Sequence, residues 1–119
     1  MKYSDSHEWV KVREGVAVVG ITEYAQKELG DIVFIELPAL GKRFRAGEEA
    51  AVLESTKAAA DIHTPVSGEI VEINHELDTY PDTVNKFPEG KGWLFKIKLA
   101  NPSEVDFMLT KEQYLDLIG

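Results

Sequence analysis

Two nearly matching turn signals, Ala46-Gly47-Glu48 and Ser67-Gly68-Glu69, bracket the stretch Glu54-Ser55-Thr56-Lys57-Ala58-Ala59-Ala60-Asp61. They constrain the fold more than any other feature. Lys57 stands ten residues after Gly47 and eleven before Gly68, so two strands of similar length would meet in a hairpin with that lysine at its tip. A lysine so placed is uncrowded, faces water and is reachable by another protein. Local propensity points elsewhere, because Ala50 to Ala60 is rich in good helix formers and taken alone reads as a helix. The residues themselves leave both readings open.

Most of the remaining chain reads as strand. Trp9 to Arg13 alternates, Glu14-Gly15 is a turn, and Val16 to Ile21 is a short apolar run rich in β-branched residues, which together predict a hairpin. Thr22 is placed to cap a short helix over 23–29, with Gly30 as its stop. Asp31 to Leu37 reads as a strand ended by Pro38, and a turn-rich, basic segment between Gly41 and Gly47 leads into the central hairpin. Glu69 to Ile73 alternates again. His75 to Lys91 is polar, holds Pro81, Pro88 and Gly90, and reads as a long loop. Trp93, Phe95, Ile97 and Leu99 alternate with Leu94, Lys96 and Lys98, which describes a strand with one face in the core. Asn101 to Glu104 and Thr110 to Gln113 both have capping-box spacing, so two short helices are expected within 102–118.

Length and composition narrow the function. At 119 residues a single domain over 1–119 is expected, large enough to bury a core without disulfides or a structural metal. With 44% hydrophobic and 29% charged residues and no apolar run long enough to span a bilayer, the expectation is a soluble protein with no membrane partner. The start of the chain lacks the pattern of a secretory signal or transit peptide, which suggests the cytoplasm or a processed form in an organelle such as the mitochondrial matrix. Thirteen basic against 21 acidic residues, with no basic stripe, argue against nucleic acid. The absence of cysteine removes any thiolate chemistry of the polypeptide itself, so sulfur redox chemistry would have to come from an attached group. His7, His63 and His75 form no metal-binding spacing, and neither a nucleophile elbow nor a phosphate loop is present. No metal site is expected.

The chain resembles the H proteins of the glycine cleavage system. The resemblance rests on Ser6-His7-Glu8-Trp9-Val10, Val19-Gly20-Ile21-Thr22 with Tyr24-Ala25-Gln26, Leu29 to Phe34, Glu36-Leu37-Pro38, Glu54 to Ala59 and Pro65 to Glu69. Val84-Asn85, Pro88 and Gly92-Trp93-Leu94 extend it, in the family's order over nearly the whole length. It implies a mostly β fold, a flattened barrel or sandwich of the lipoyl and biotinyl carrier type. The two small sheets are expected to follow the approximate symmetry of the Gly47 and Gly68 arms, with short flanking helices.

The resemblance also implies a function. Lys57 would carry lipoic acid in amide linkage, which removes the lysine charge and supplies the dithiolane missing from the chain. The loaded arm would take an aminomethyl group from a pyridoxal-phosphate glycine decarboxylase and deliver it to a tetrahydrofolate-dependent aminomethyltransferase. A flavin-containing dihydrolipoyl dehydrogenase would then reoxidise it. The chain would be a monomeric carrier serving these enzymes, not itself an enzyme.

Glu54 and Gly41 match positions read by the lipoate-attaching enzyme, beside the plainer readings of a strand carboxylate and a turn glycine. Glu8 matches a carboxylate of the cleft that holds the loaded arm, where an acidic group suits a cationic amine. Trp9, Ser55 and Asp61 are candidates for the same cleft. Two positions depart from the pattern: Thr56 stands where the family most often has Val, and Glu89 replaces an aromatic residue often found after Pro88. Other readings are a lipoyl relay or H-like protein serving other lipoyl enzymes, a biotin or 2-oxoacid-dehydrogenase carrier domain, and a small enzyme using Lys57 as a covalent catalyst. Carrier domains of the second kind usually read Met-Lys-Met or Asp-Lys-Ala, against Thr56-Lys57-Ala58 here.

Overall fold

The computed structural model describes residues 1–119. Its strands are β1 (Lys2–Tyr3), β2 (Glu8–Arg13), β3 (Val16–Ile21), β4 (Ile32–Glu36), β5 (Arg43–Phe44), β6 (Glu49–Ser55), β7 (Ala59–His63), β8 (Gly68–Ile73) and β9 (Phe95–Leu99). Glu14 and Gly15, with φ of 52° and 78°, make the mirror-image turn that matches the twist of a two-residue hairpin between β2 and β3. The register they set, Arg13 opposite Val16, sends Ala17, Val19 and Ile21 inward.

All pairings are antiparallel, and they give a six-stranded sheet, β1-β2-β3-β9-β8-β5, and a three-stranded sheet, β4-β6-β7. The sheets are therefore unequal, where the matched arms suggested two similar small ones. They form a flattened, unclosed sandwich of 36 × 36 × 21 Å around an 18-residue apolar cluster.

The chain passes between the sheets twice at one place. The Gly47 N–H donates to the Thr64 carbonyl at 2.7 Å and the Thr64 N–H to the Glu48 carbonyl at 2.9 Å. The turns before β6 and after β7 thus brace each other at the base of the central hairpin. Gly68 is not itself a turn residue: it pairs with Phe44 and Leu99, at a crossing where a Cβ would collide with the Lys98 carbonyl.

The helical reading of 50–60 fails for energetic reasons. Helix preferences are worth about 0.5 kcal/mol per residue. In the sheet Leu53 is buried, worth about 2 kcal/mol or more, and β6 is paired along both edges, to β4 and to β7, a gain that only a strand at this place can make.

Helix α1 (Glu23–Leu29) forms as expected, with Thr22 accepting the Ala25 amide at 3.2 Å and Gly30, φ 82°, ending it. The segment read as a loop over 75–91 contains two single-turn helices, α2 (Glu76–Thr79) and α3 (Thr83–Lys86), held by buried Leu77 and Val84. One turn with one apolar anchor shows no period, so the pattern could not reveal them. The first expected C-terminal helix is instead a 3-10 segment, Pro102–Phe107, with no side-chain cap. Its capping glutamate, Glu104, is taken by Ser67, whose amide and hydroxyl both donate to it at 2.8 Å. The second, α4 (Lys111–Ile118), carries the complete Thr110–Gln113 capping box.

In β9, Phe95 and Ile97 are buried as the alternation predicts, but Leu94 is also fully buried and Trp93 only half so. Strand geometry begins at Phe95, and the Lys96 ammonium lies 4.9 Å from the Trp93 ring. No helix is long and apolar enough to cross a membrane.

Candidate functional site

The β6–β7 hairpin turns over at Thr56-Lys57-Ala58, and every tip amide from Ser55 to Ala58 has a partner. The Ser55 N–H donates to the Ala58 carbonyl at 2.8 Å. The Ser55 hydroxyl accepts the Lys57 and Ala58 amides at 3.1 Å and donates to the Ala58 carbonyl at 3.1 Å. The Thr56 N–H reaches the Asp31 carbonyl at 3.0 Å. The turn is thus fixed by its own backbone, one serine and the Asp31 carbonyl, while the Lys57 side chain is exposed and joins no ion pair. Thr56, Ala58 and Ala59 are also exposed and small, so the approach is open. An exposed primary amine on a rigid bend fits a carboxylic acid joined to it as an amide.

Glu54 is exposed, three residues before Lys57 and opposite Phe34 and Ala59 in the sheet. Gly41 is not near this tip. β4 runs antiparallel to β6, carrying the chain away from Lys57 before Gly41 is reached, and there Gly41, φ 82°, donates its amide to the Ile70 carbonyl at 2.8 Å. Ser55 belongs to the tip itself. Asp61 is exposed on β7, on the same face as Ala59 and His63 because alternate residues share a face.

That face leads to a cavity of about 430 Å³ lined by Ser4, Asp5, Ser6, Glu8, His63 and Phe107 among others. Glu8 is 2% exposed and its Oε1 accepts the Ser4 and Ser6 hydroxyls, each at 2.6 Å. Burial pushes its carboxyl above the ordinary 4.5, opposed by the two serine hydrogen bonds and by His63. The loop that aims it is tight: the Ser4 N–H donates to the Glu8 carbonyl at 2.8 Å, and His7 takes a φ of 73°, unusual outside glycine.

Trp9, next along β2, points to the opposite face and does not line this cavity. Its indole N–H donates to the Ile21 and Pro88 carbonyls at 2.9 Å, and its ring covers Gly20, where a Cβ would stand 2.7 Å from ring carbons. Trp9 therefore packs with Tyr3 and Tyr114 in a second apolar cluster. Glu89, the departure after Pro88, accepts the Tyr3 hydroxyl at 3.3 Å and the first amide of α1, Glu23 N–H, at 3.0 Å.

The structure brings Glu54, Ser55 and Lys57 together at the tip. It gathers Glu8 with residues that were not assigned to that cleft: Ser4, Ser6, His63 and Phe107. A signal for the serines existed in Ser4-x-Ser6-x-Glu8, whose spacing of two can converge on one group; nothing local announces His63 or Phe107. His7 is committed to the Tyr114 hydroxyl at 2.8 Å and His75 lies 3.9 Å from Asp78. No cluster of three or more His, Cys, Asp or Glu is arranged to hold a metal ion.

The family model described as glycine cleavage H-protein matches residues 1–118. The chain is 55% identical over 119 residues to the glycine cleavage system H protein of Aeromonas salmonicida, covering 99% of this chain and 92% of that protein. It is 52% identical over 118 residues to that of Xanthobacter autotrophicus, covering 99% and 94%. A crystal structure of a glycine cleavage system H protein from Mycobacterium marinum superimposes with a TM-score of 0.91 at 36% identity, covering 99% of this chain and 95% of that one. The chain belongs to the glycine cleavage H-protein family.

Proposed function

We propose that the chain is the lipoyl-bearing carrier of a glycine cleavage system, with Lys57 as the attachment residue. The observation that carries this is an exposed, unpaired lysine on a hairpin turn whose amides from Ser55 to Ala58 are all hydrogen-bonded, in a chain of this family. When bound, the lipoyl group supplies a dithiolane that accepts and releases an aminomethyl group and cycles between oxidised and reduced forms.

The residues of the chain divide the work. Ser55 holds the turn that presents Lys57, and Glu54 is the exposed carboxylate that the lipoate-attaching enzyme reads beside it. Gly41 acts at a distance, through a turn that its positive φ permits. The face of β7 carrying Ala59, Asp61 and His63 runs from the tip to the cavity at Glu8, whose carboxylate suits a cationic amine by a charge-assisted hydrogen bond. Trp9 contributes from behind, as packing under β2 and β3. The partners are then a pyridoxal-phosphate glycine decarboxylase, a tetrahydrofolate-dependent aminomethyltransferase and a flavin dihydrolipoyl dehydrogenase. The chain is their shared, non-catalytic substrate.

Intact mass and peptide mapping after incubation with lipoic acid and a competent lipoate ligase test the reading. A lipoyl-sized increment confined to the Lys57 peptide is expected; a consistently unmodified Lys57 peptide would sink it.

A further inference from the structure

We infer that Asn85 is a positioning residue for Lys57, acting through the turn Gly30-Asp31-Ile32; the inference rests on the reading of Lys57 as the acylated residue. Asn85 lies on α3, fixed by its fully buried neighbour Val84. Its side-chain amide is fully used. Oδ1 accepts the Ile32 amide at 2.9 Å, while Nδ2 donates to the Gly30 carbonyl at 2.8 Å and to Gln26 Oε1 at 3.0 Å. One side chain thus grips the backbone on both sides of Asp31.

Asp31 in turn holds the hairpin tip, since its carbonyl accepts the Thr56 N–H at 3.0 Å. This is the only one of the four tip amide bonds that reaches outside the hairpin. The same turn also touches the lysine. Gly30, φ 82°, leaves space where a Cβ would lie 3.1 Å from Lys57 Cε. Asn85 therefore sets the place of Asp31, Asp31 anchors Thr56, and Gly30 leaves room for the lysine stem. An attaching enzyme meets a tip already in position instead of ordering it on binding, which is preorganisation of a substrate. The segment 75–91 thereby gains a role in presenting Lys57.

The test uses the full chain, lipoate ligase and lipoic acid. Asn85→Asp keeps the volume but sets an acceptor against the Gly30 carbonyl, and Asn85→Ala removes the grip. Each should raise KM for the chain about tenfold with kcat retained, and speed hydrogen exchange at the Thr56 amide about tenfold. The Leu94 amide, bonded to the Val19 carbonyl at 2.8 Å in the core, should keep its protection. Gly30→Ala keeps the Asn85 side chain but strains the same turn at its positive φ and sets a methyl group against the lysine stem; it should also raise KM. Unchanged KM, unchanged Thr56 exchange, or equal acceleration at Leu94 would each overturn the inference. A native chain that is never acylated overturns the carrier reading as well, whereas a native chain acylated as readily as its variants overturns this inference alone.

Discussion

The hairpin tip and the Glu8 cavity handle charge in opposite ways. Lys57 is a cation left in water, without an ion pair, on a turn whose hydrogen bonds are nearly all local. Glu8 is a carboxylate taken out of water, 2% exposed, in a site assembled from β2, the loop before it, β7 and the 3-10 segment. The difference teaches that presentation and shelter need different supports. A group that other proteins must reach needs a stiff turn and empty space around it. A group that holds a cargo needs long-range contacts that remove solvent, and these come only with the whole sandwich.

Removing the amine breaks the comparison at its exposed end. Lys57→Arg keeps the charge and the hairpin but offers no amine that forms the amide, so attachment should fall to nothing by intact mass while thermal stability is unchanged. Glu8→Gln cuts at the other end. It keeps an acceptor for Ser4 and Ser6 but loses the charge-assisted bond to an amine, worth about 2–3 kcal/mol. Turnover in a system reconstituted with the partner enzymes should drop roughly a hundredfold, and attachment at Lys57 should not change. Equal losses in both assays would mean that the two regions are not separable.

A third substitution asks whether the wall behind the cavity matters to the tip. Gly20→Ala places a methyl group 2.7 Å from the Trp9 ring, which is pinned by two carbonyls and cannot retreat cheaply. Overpacking of this kind costs about 2 kcal/mol, readable as a lower urea midpoint with an unchanged slope. Attachment at Lys57 below the transition should be untouched, because no tip bond passes through Trp9.

The two regions also differ in how legible they were. The tip could be read in part from the spacing of Lys57 between Gly47 and Gly68, since a hairpin is a local object, although Gly68 marks a strand crossing and not a turn and the helix preference of 50–60 points the other way. The cavity could not, because Glu8 and His63 are 55 positions apart and meet only through the packing of two sheets. The same rule explains the ends. Thr110 and Gln113 satisfied their capping box within one turn, whereas the identical spacing at Asn101 lost Glu104 to Ser67, 37 residues away. Single-turn α2 and α3 were invisible for lack of a repeat.

The smallest expected effect separates the cost of Glu8 from its use. Its folded pKa is raised by burial, so the folded state favours the protonated carboxyl more than the unfolded chain does. The favourable contribution is therefore fully present below the unfolded value near 4.5 and is lost as pH rises through the higher folded value. Glutamine does not titrate. At pH 7, Glu8→Gln should be more stable than the native chain by about 1 kcal/mol, the size usual for a stabilising substitution at a functional position. That advantage should shrink as the pH falls into the carboxylate range, in urea titrations run at a series of pH values. A constant difference at every pH would show that Ser4, Ser6 and His63 offset the burial in full. A less stable glutamine variant at pH 7 would show that the ionised carboxylate stabilises the fold, and the contrast with the exposed lysine would lose its energetic basis.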